Sequence, residues 1–99
     1  MQRVQFEWDH AKDRSNQANH GVAFSDAQKL FESGVDYLEV FDAEHSETED
    51  RFIAIGPIER GIAVVVYTER DENRIRIIGA RLANEREREL FRIHMDTDK

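Results

Sequence analysis

The chain has 99 residues, no cysteine, 39% hydrophobic and 35% charged residues, and a formal net charge of -7. This length suits one domain over residues 1–99, and the composition excludes a disordered chain, a disulfide framework and thiolate metal sites. The longest apolar run, residues 62–67, is too short to cross a bilayer, and the N-terminus lacks the apolar core of a secretory signal. We therefore expect a soluble, cytoplasmic protein that does not bind membranes.

The acidic and basic residues are unevenly distributed. Residues 1–50 carry 4 basic and 12 acidic residues, whereas residues 51–99 carry 10 and 9. Eleven of the fourteen basic residues are arginine, whose planar guanidinium binds phosphate or carboxylate oxygens two at a time. Phosphate binding depends on Lys and Arg, so a negative net charge would ordinarily argue against a nucleic-acid partner. Because the acidic excess lies in residues 1–50, the net charge does not exclude such a partner here.

The chain begins with a predicted strand and a polar helix. Residues 3–8 alternate apolar and polar side chains, which is typical of a strand. Asp9 is a plausible N-cap for a helix over residues 10–19, and Gly21 suits the left-handed position that ends such a helix.

A second helix and a second strand follow. Ser25 and Gln28 have the spacing of a capping box, and Gly34 would end the helix that they begin. Residues 37–41 are predicted to form a strand, and residues 42–50 form an acidic loop without large apolar side chains.

The second half of the chain predicts an antiparallel meander followed by a helix. Its strands are expected over residues 51–57, 62–69 and 74–80. Asn84 and Glu87 form a further capping box, which predicts a last helix over residues 84–90.

The register of the last hairpin decides which side chains share a face. If residues 70–73 form a four-residue turn, Glu69 lies opposite Arg74 and Tyr67 lies opposite Arg76. One face would then carry these four side chains, and the other would carry valine and isoleucine for a core beneath the helices. A one-residue slip would bury arginine, which favours this register.

A tyrosine, a carboxylate and several arginines on one face suit RNA cleavage by internal transesterification. This reaction needs a base for the 2′-hydroxyl, cations for the charge on the phosphorane and an acid for the leaving 5′-oxygen. Glu69 or His20 would act as the base, and Tyr67 would stack on a nucleobase. The phosphate clamp would consist of Arg74, Arg76 and Arg81. The reaction needs no metal ion or other cofactor.

Simpler structural roles explain the same residues. A Glu69–Arg74 pair across two strands is a common exposed ion pair that contributes about 0.2 to 1 kcal/mol. His20 suits the C-terminal end of a helix, where the helix dipole favours a cation. Lys12 on a polar helix is ordinarily solvated, and the remaining histidines show no spacing typical of a metal site.

Several short motifs follow one another in a familiar order. They are FEWD with Lys12, NHGVAF, RFIAIG, VVVYTER and RIRIIGAR, and together they extend over residues 6–88. In this order they resemble the BrnT family of bacterial type II toxin components. The resemblance implies an α+β fold related to the RelE-type ribonucleases, with helices packed on one side of a mostly antiparallel sheet. It also implies RNA cleavage that inhibits translation, and neutralisation by a BrnA-type ribbon-helix-helix antitoxin through which the pair reaches operator DNA.

The family pattern also implies site residues. Those implied for catalysis are Lys12, His20, Glu69, Arg74, Arg76 and Arg81. Those implied for RNA binding are Arg51, Tyr67 and Arg70. The acid and the base stay unassigned among them, although an imidazole exchanges its proton most readily near neutral pH.

The chain departs from the family pattern at three positions. His10 replaces a common proline, Gly79 replaces a serine, and Leu82 replaces a basic residue near the implied site. These departures leave open a second interpretation, in which the chain is a non-catalytic module that holds an antitoxin and tunes transcription. In a third interpretation, the acidic loop of residues 42–50 engages a basic partner surface.

Overall fold

The computed structural model describes residues 4–97, which form five strands and three α-helices in the order β1, α1, α2, β2, β3, β4, β5 and α3. The strands are β1 (Gln5–Glu7), β2 (Leu38–Phe41), β3 (Arg51–Ile58), β4 (Gly61–Asp71) and β5 (Arg74–Leu82). The helices are α1 (His10–His20), α2 (Phe24–Glu32) and α3 (Glu85–Thr97), with a short 3₁₀ helix (Ala43–His45) in the acidic loop. The predicted beginning of the first strand at Arg3 lies outside the described residues. None of the described helices is long and apolar enough to cross a membrane.

The strands form one mixed sheet in the order β1-β5-β4-β3-β2. β1 pairs with β5 in parallel, and the other neighbouring strands pair antiparallel. The predicted α+β class with a mostly antiparallel sheet is therefore confirmed.

Local signals place the ends of α1 and the beginning of α3 correctly. Asp9 Oδ1 accepts hydrogen bonds from the backbone N–H groups of Ala11 and Lys12, and Gly21 follows α1 with a φ of 72°. At α3, Asn84 and Glu87 each accept the other's backbone N–H in a reciprocal capping box. α3 itself extends well beyond the predicted end at residue 90.

The predicted capping box of α2 is wrong. The helix begins at Phe24 rather than after Ser25, and the backbone N–H of Phe24 donates to Asp13 Oδ1 of α1 at 2.9 Å. Gln28 donates to Glu32 instead of reaching back to the beginning of the helix. The cap of α2 is thus supplied by a side chain of the preceding helix.

Two hydrophobic clusters lie on opposite faces of the sheet. Ala54 belongs to the larger cluster, which includes Phe24 and Leu30 of α2, whereas the adjacent Ile55 belongs to a smaller cluster that contacts Phe91 of α3. Neighbouring strand residues point to opposite faces, so α2 and α3 cover different sides of the sheet. The prediction that all helices pack on one side is therefore wrong.

The predicted register of the β4–β5 hairpin is also wrong. Its turn contains two residues rather than four, and Glu69 lies opposite Ile75 instead of Arg74. Two bulges interrupt the ladder and change which residues oppose one another. As a result Tyr67 packs in the cluster beneath α2, whereas Arg76 faces the other side of the sheet.

Candidate functional site

Three charged side chains and a threonine form a row across the face of the sheet opposite α2. Backbone pairing places Glu7, Arg76, Thr68 and Arg51 in register on four neighbouring strands. Arg81 lies on the same face, opposite Val64 of β4. We refer to this surface, which carries Arg51, Arg74, Arg76 and Arg81, as the arginine face.

Glu7 holds two of the three arginines predicted to clamp a phosphate. Its Oε2 accepts a hydrogen bond from Arg76 Nη1 at 2.8 Å, and its Oε1 lies 3.6 Å from Arg74 Nη1. Arg74 also lies 3.9 Å from Asp71. One carboxylate on β1 thus orients both guanidinium groups on β5.

Arg81 is paired with Glu87 of α3. Its Nη1 and Nη2 donate to Glu87 Oε1 and Oε2 at 2.7 and 2.6 Å, which is the two-point geometry of an arginine–carboxylate pair. The hydrogen bonds from Arg81 lower the pKa of the Glu87 carboxyl, and those to Glu87 raise the pKa of Arg81. The pair connects the end of β5 to the first turn of α3.

A cleft of about 380 Å³ opens on the arginine face between α1, β5 and α3. His20, Arg81, Glu87 and Leu90 line its walls, and Gly79 forms part of its floor. The apolar part of the floor consists of Val40, Ile53, Ile55, Val64 and Val66. The cleft therefore combines an apolar surface with an imidazole and a guanidinium.

Gly79 lies between Arg76 and Arg81 on the arginine face. The β4 partners of Arg76 and Arg81 are four residues apart, which corresponds to about 13 Å along a strand. Gly79 pairs with Val66, the residue midway between those partners, and a Cβ atom at Gly79 would meet nothing within 4 Å. Open space therefore lies above the sheet between the positions of the two arginines.

Asn16 anchors α1 beside the edge of β5. Its Nδ2 donates to the carbonyl oxygens of Val22 and Ala80 at 2.8 and 2.7 Å, and its Oδ1 accepts the N–H of Ala80 at 3.2 Å. Lys12 and His20 lie one turn before and one turn after Asn16, on the same side of the helix. Sequence analysis missed Asn16, although its spacing from the two predicted residues was a signal.

Lys12 is related to the arginine row through Asp9. The pKa of Asp9 is lowered first by the backbone N–H groups of Lys12 and Ala11, and further by the positive charges of Lys12 and Arg76. The structure thus brings His20 and Arg81 to one cleft and places Arg76 on the same face of the sheet.

Tyr67 and Glu69 lie away from that surface. Tyr67 is 1% exposed, its ring contacts Phe31 and Phe52, and its hydroxyl donates to Glu39. Burial, followed by the bond to Glu39, raises the pKa of Tyr67, and the charge of Glu69 adds to this effect. The ring is therefore not placed to stack on a nucleobase, and Glu69 lies on the side of Tyr67 rather than on that of the arginines.

The remaining two predicted residues adjoin the acidic loop. Arg70 Nη1 lies 3.7 Å from Glu49 of that loop, and the carbonyl oxygen of Asp50 accepts a hydrogen bond from Thr68 Oγ1 at 2.7 Å. Arg51 Nε is buried without a hydrogen-bond partner among residues 4–97. The loop is thus fixed to the end of the arginine face.

One group of side chains in the described part of the chain could gather around a metal ion. Asp42, Glu44 and His45 place one ligand atom each within 4.8 Å of one another. His45 Nδ1 already lies 2.9 Å from Asp42 Oδ2, and none of the three residues lines the cleft. The group is a feature of the acidic loop and does not belong to the cleft.

A family model described as the ribonuclease toxin BrnT of type II toxin–antitoxin systems matches residues 8–87. The chain belongs to this family. The crystal structure of the Brucella abortus ribonuclease toxin BrnT is similar to this fold, with a TM-score of 0.61, 24% identity, and coverage of 83% of this chain and 99% of that one. No curated protein matches the chain. The resemblance to BrnT toxins in the sequence motifs is therefore confirmed.

Proposed function

We propose that the chain is a metal-independent endoribonuclease that cleaves RNA at the arginine face and thereby inhibits translation. Membership in a family of ribonuclease toxins supports RNA as the substrate class. The observation that carries the proposal is the cleft, which places His20 and Arg81 around open space above Gly79. The cytoplasmic location and the relation of the fold to RelE-type ribonucleases stay predictions.

In the proposed reaction the 2′-hydroxyl oxygen bonds to the adjacent phosphorus, and the bond from phosphorus to the 5′-oxygen breaks. The products are a 2′,3′-cyclic phosphate and a free 5′-hydroxyl. His20 accepts the proton of the 2′-hydroxyl, since its imidazole lines the cleft. Arg76 and Arg81 stabilise the negative charge that develops on the phosphorane oxygens.

Lys12 is the candidate donor of the proton to the leaving 5′-oxygen. It lies eight residues before His20 on α1, about 12 Å along the helix axis, and the two side chains can approach a substrate from both ends of this span. Glu69, the other predicted proton carrier, lies on the opposite side of the sheet from the arginines, and its role stays a prediction.

The test is cleavage of a long labelled RNA by purified protein in EDTA. Wild type should cleave, whereas Arg76→Ala and His20→Ala should not. Arg92→Ala is the matched control, because Arg92 pairs with Glu89 and Asp96 on the exposed side of α3. Full cleavage by Arg76→Ala would refute the phosphate clamp, and intact RNA with folded wild type would refute the endoribonuclease.

A second candidate function is supported by the pairing of the arginines. Each of these arginines forms a salt bridge within the chain: Arg70 with Glu49, Arg74 and Arg76 with Glu7, and Arg81 with Glu87. A module that holds a BrnA-type ribbon-helix-helix antitoxin and reaches operator DNA only through it would not need free arginines. This function predicts intact RNA at high protein concentration together with a tight antitoxin complex that retains promoter DNA.

A further inference from the structure

Glu87 binds the guanidinium of Arg81 in the way that a phosphate group would. Two carboxylate oxygens meet two guanidinium nitrogens at 2.7 and 2.6 Å, and a phosphate presents two oxygens to arginine in the same manner. Both residues line the cleft. RNA that places a phosphate on Arg81 must therefore displace Glu87.

The helix that carries Glu87 is lightly attached to the sheet. No residue of α3 is buried, and Leu90 and Ile93 are 45% and 48% exposed. Phe91 contacts the small cluster on the arginine face, and His94 lies 3.3 Å from Asp36. The family match ends at Glu87, so most of α3 lies beyond it. The absence of buried residues in α3 leaves Glu87 room to separate from Arg81.

Glu7 differs from Glu87 in this respect. It lies on β1, whose backbone is paired with β5 at Arg76, so its carboxylate moves together with the arginines that it holds. Glu87 belongs to a separate element and can leave Arg81 without breaking a strand pair.

We propose that Glu87 is a positioning residue that competes with RNA phosphate for Arg81 and so sets how tightly the cleft binds RNA. This inference rests on the proposed RNA-cleaving function. In the free protein, Glu87 holds the guanidinium against α3. In the RNA complex, the guanidinium turns to the phosphate and Glu87 is released to solvent.

The test compares Glu87→Gln with Glu85→Gln, using a labelled single-stranded RNA at one ionic strength. Glutamine keeps the size of Glu87 and its capping contact with Asn84, but removes the charge that binds Arg81. Glu85 lies in the same turn of α3 and has no ion pair among the described residues, so Glu85→Gln reproduces the change in net charge alone.

We expect Glu87→Gln to bind RNA up to about fivefold tighter, the factor that the loss of a partly exposed competing ion pair produces. KM should fall by the same factor while kcat stays unchanged, and Glu85→Gln should have a smaller effect. Placing Glu87→Gln in an Arg81→Ala background should abolish the gain, because the two residues act through one contact. A purely structural role of Glu87 in α3 would persist in that background.

Several results would overturn the inference. Equal gains for Glu87→Gln and Glu85→Gln would show a general charge effect, and weaker binding by Glu87→Gln would show that Glu87 prepares Arg81 for RNA. Absence of binding in every variant would remove both the inference and the proposed function. If the variants bind RNA as expected but neither they nor wild type cleave it, only the proposed function fails. If wild type cleaves RNA but Glu87→Gln does not bind it more tightly, only the competition between Glu87 and RNA phosphate is refuted.

Discussion

Replacement of Gly79 by valine tests the location of the site without changing any charge. A Cβ atom at Gly79 meets nothing within 4 Å, so the backbone accepts a side chain there. The branched side chain would project into the space between Arg76 and Arg81, where we propose that the scissile phosphate binds. The variant should therefore fold normally and lose RNA cleavage.

The expected changes in stability and activity have opposite signs. A glycine inside a strand weakens it, and a β-branched residue in its place contributes up to about 1 kcal/mol to the free energy of unfolding. For a chain of this length, 1 kcal/mol raises the melting temperature by about 4 to 8 °C. We therefore expect Gly79→Val to melt at the same or a higher temperature than wild type, and to cleave RNA no better than Arg81→Ala.

Circular dichroism during heating and cleavage of labelled RNA measure the two quantities on the same preparation. Gly79→Ala is the matched control, because its single methyl group leaves most of the space open and should retain cleavage. Undiminished cleavage by a folded Gly79→Val would show that RNA does not bind above Gly79, and the assignment of the cleft would fail.

Three further predictions concern stability. Asn16→Ala should lower the free energy of unfolding in urea by about 2 to 3 kcal/mol, since it leaves both backbone groups of Ala80 without their partner. Gly56→Ala should lower the melting temperature through a loss of about 1 to 3 kcal/mol, because its Cβ would lie 2.6 Å from a Leu30 methyl carbon. The contribution of the Arg81–Glu87 pair to the free energy of unfolding should be present above pH 4.5 and disappear as the pH falls through the lowered pKa of Glu87. Unfolding of wild type and Glu87→Gln in urea at several pH values measures this contribution.

Each of these predictions has a control of its own. Asn19→Ala, on the exposed side of α1, should leave stability nearly unchanged, and an equal loss there would contradict the role given to Asn16. Gly79→Ala should not share the destabilisation of Gly56→Ala. If wild type and Glu87→Gln differ by the same amount at pH 7 and below the pKa of Glu87, the ion pair does not cause the difference.

Features that depend on a few neighbouring residues were predicted well. The caps at Asp9 and Gly21 and the capping box at Asn84 each require only three or four residues of sequence, and all three are confirmed. α2 shows the limit of such signals. Its first N–H is bound by Asp13, eleven positions earlier and in another helix, so no local pattern around Ser25 could indicate where the helix begins.

The site depended on contacts between distant parts of the chain. The two bulges of the β4–β5 hairpin leave no clear signal in the alternation of side chains, and they move Tyr67 to the core while Arg76 stays on the opposite face. Glu7 and Arg76 are 69 positions apart, so their pairing follows from the parallel β1–β5 contact alone. The family motifs identified the arginines, but only the fold shows which carboxylates hold them.

The order of the strands also bears on aggregation. The inner strands β3, β4 and β5 have 8, 11 and 9 residues, whereas the outer strands β1 and β2 have 3 and 4. The longest apolar run, residues 62–67, thus lies in the central strand with both of its backbone edges paired, and the short outer strands offer little template to another chain. Global unfolding releases that segment all at once, and we therefore expect heat-denatured protein to precipitate rather than refold.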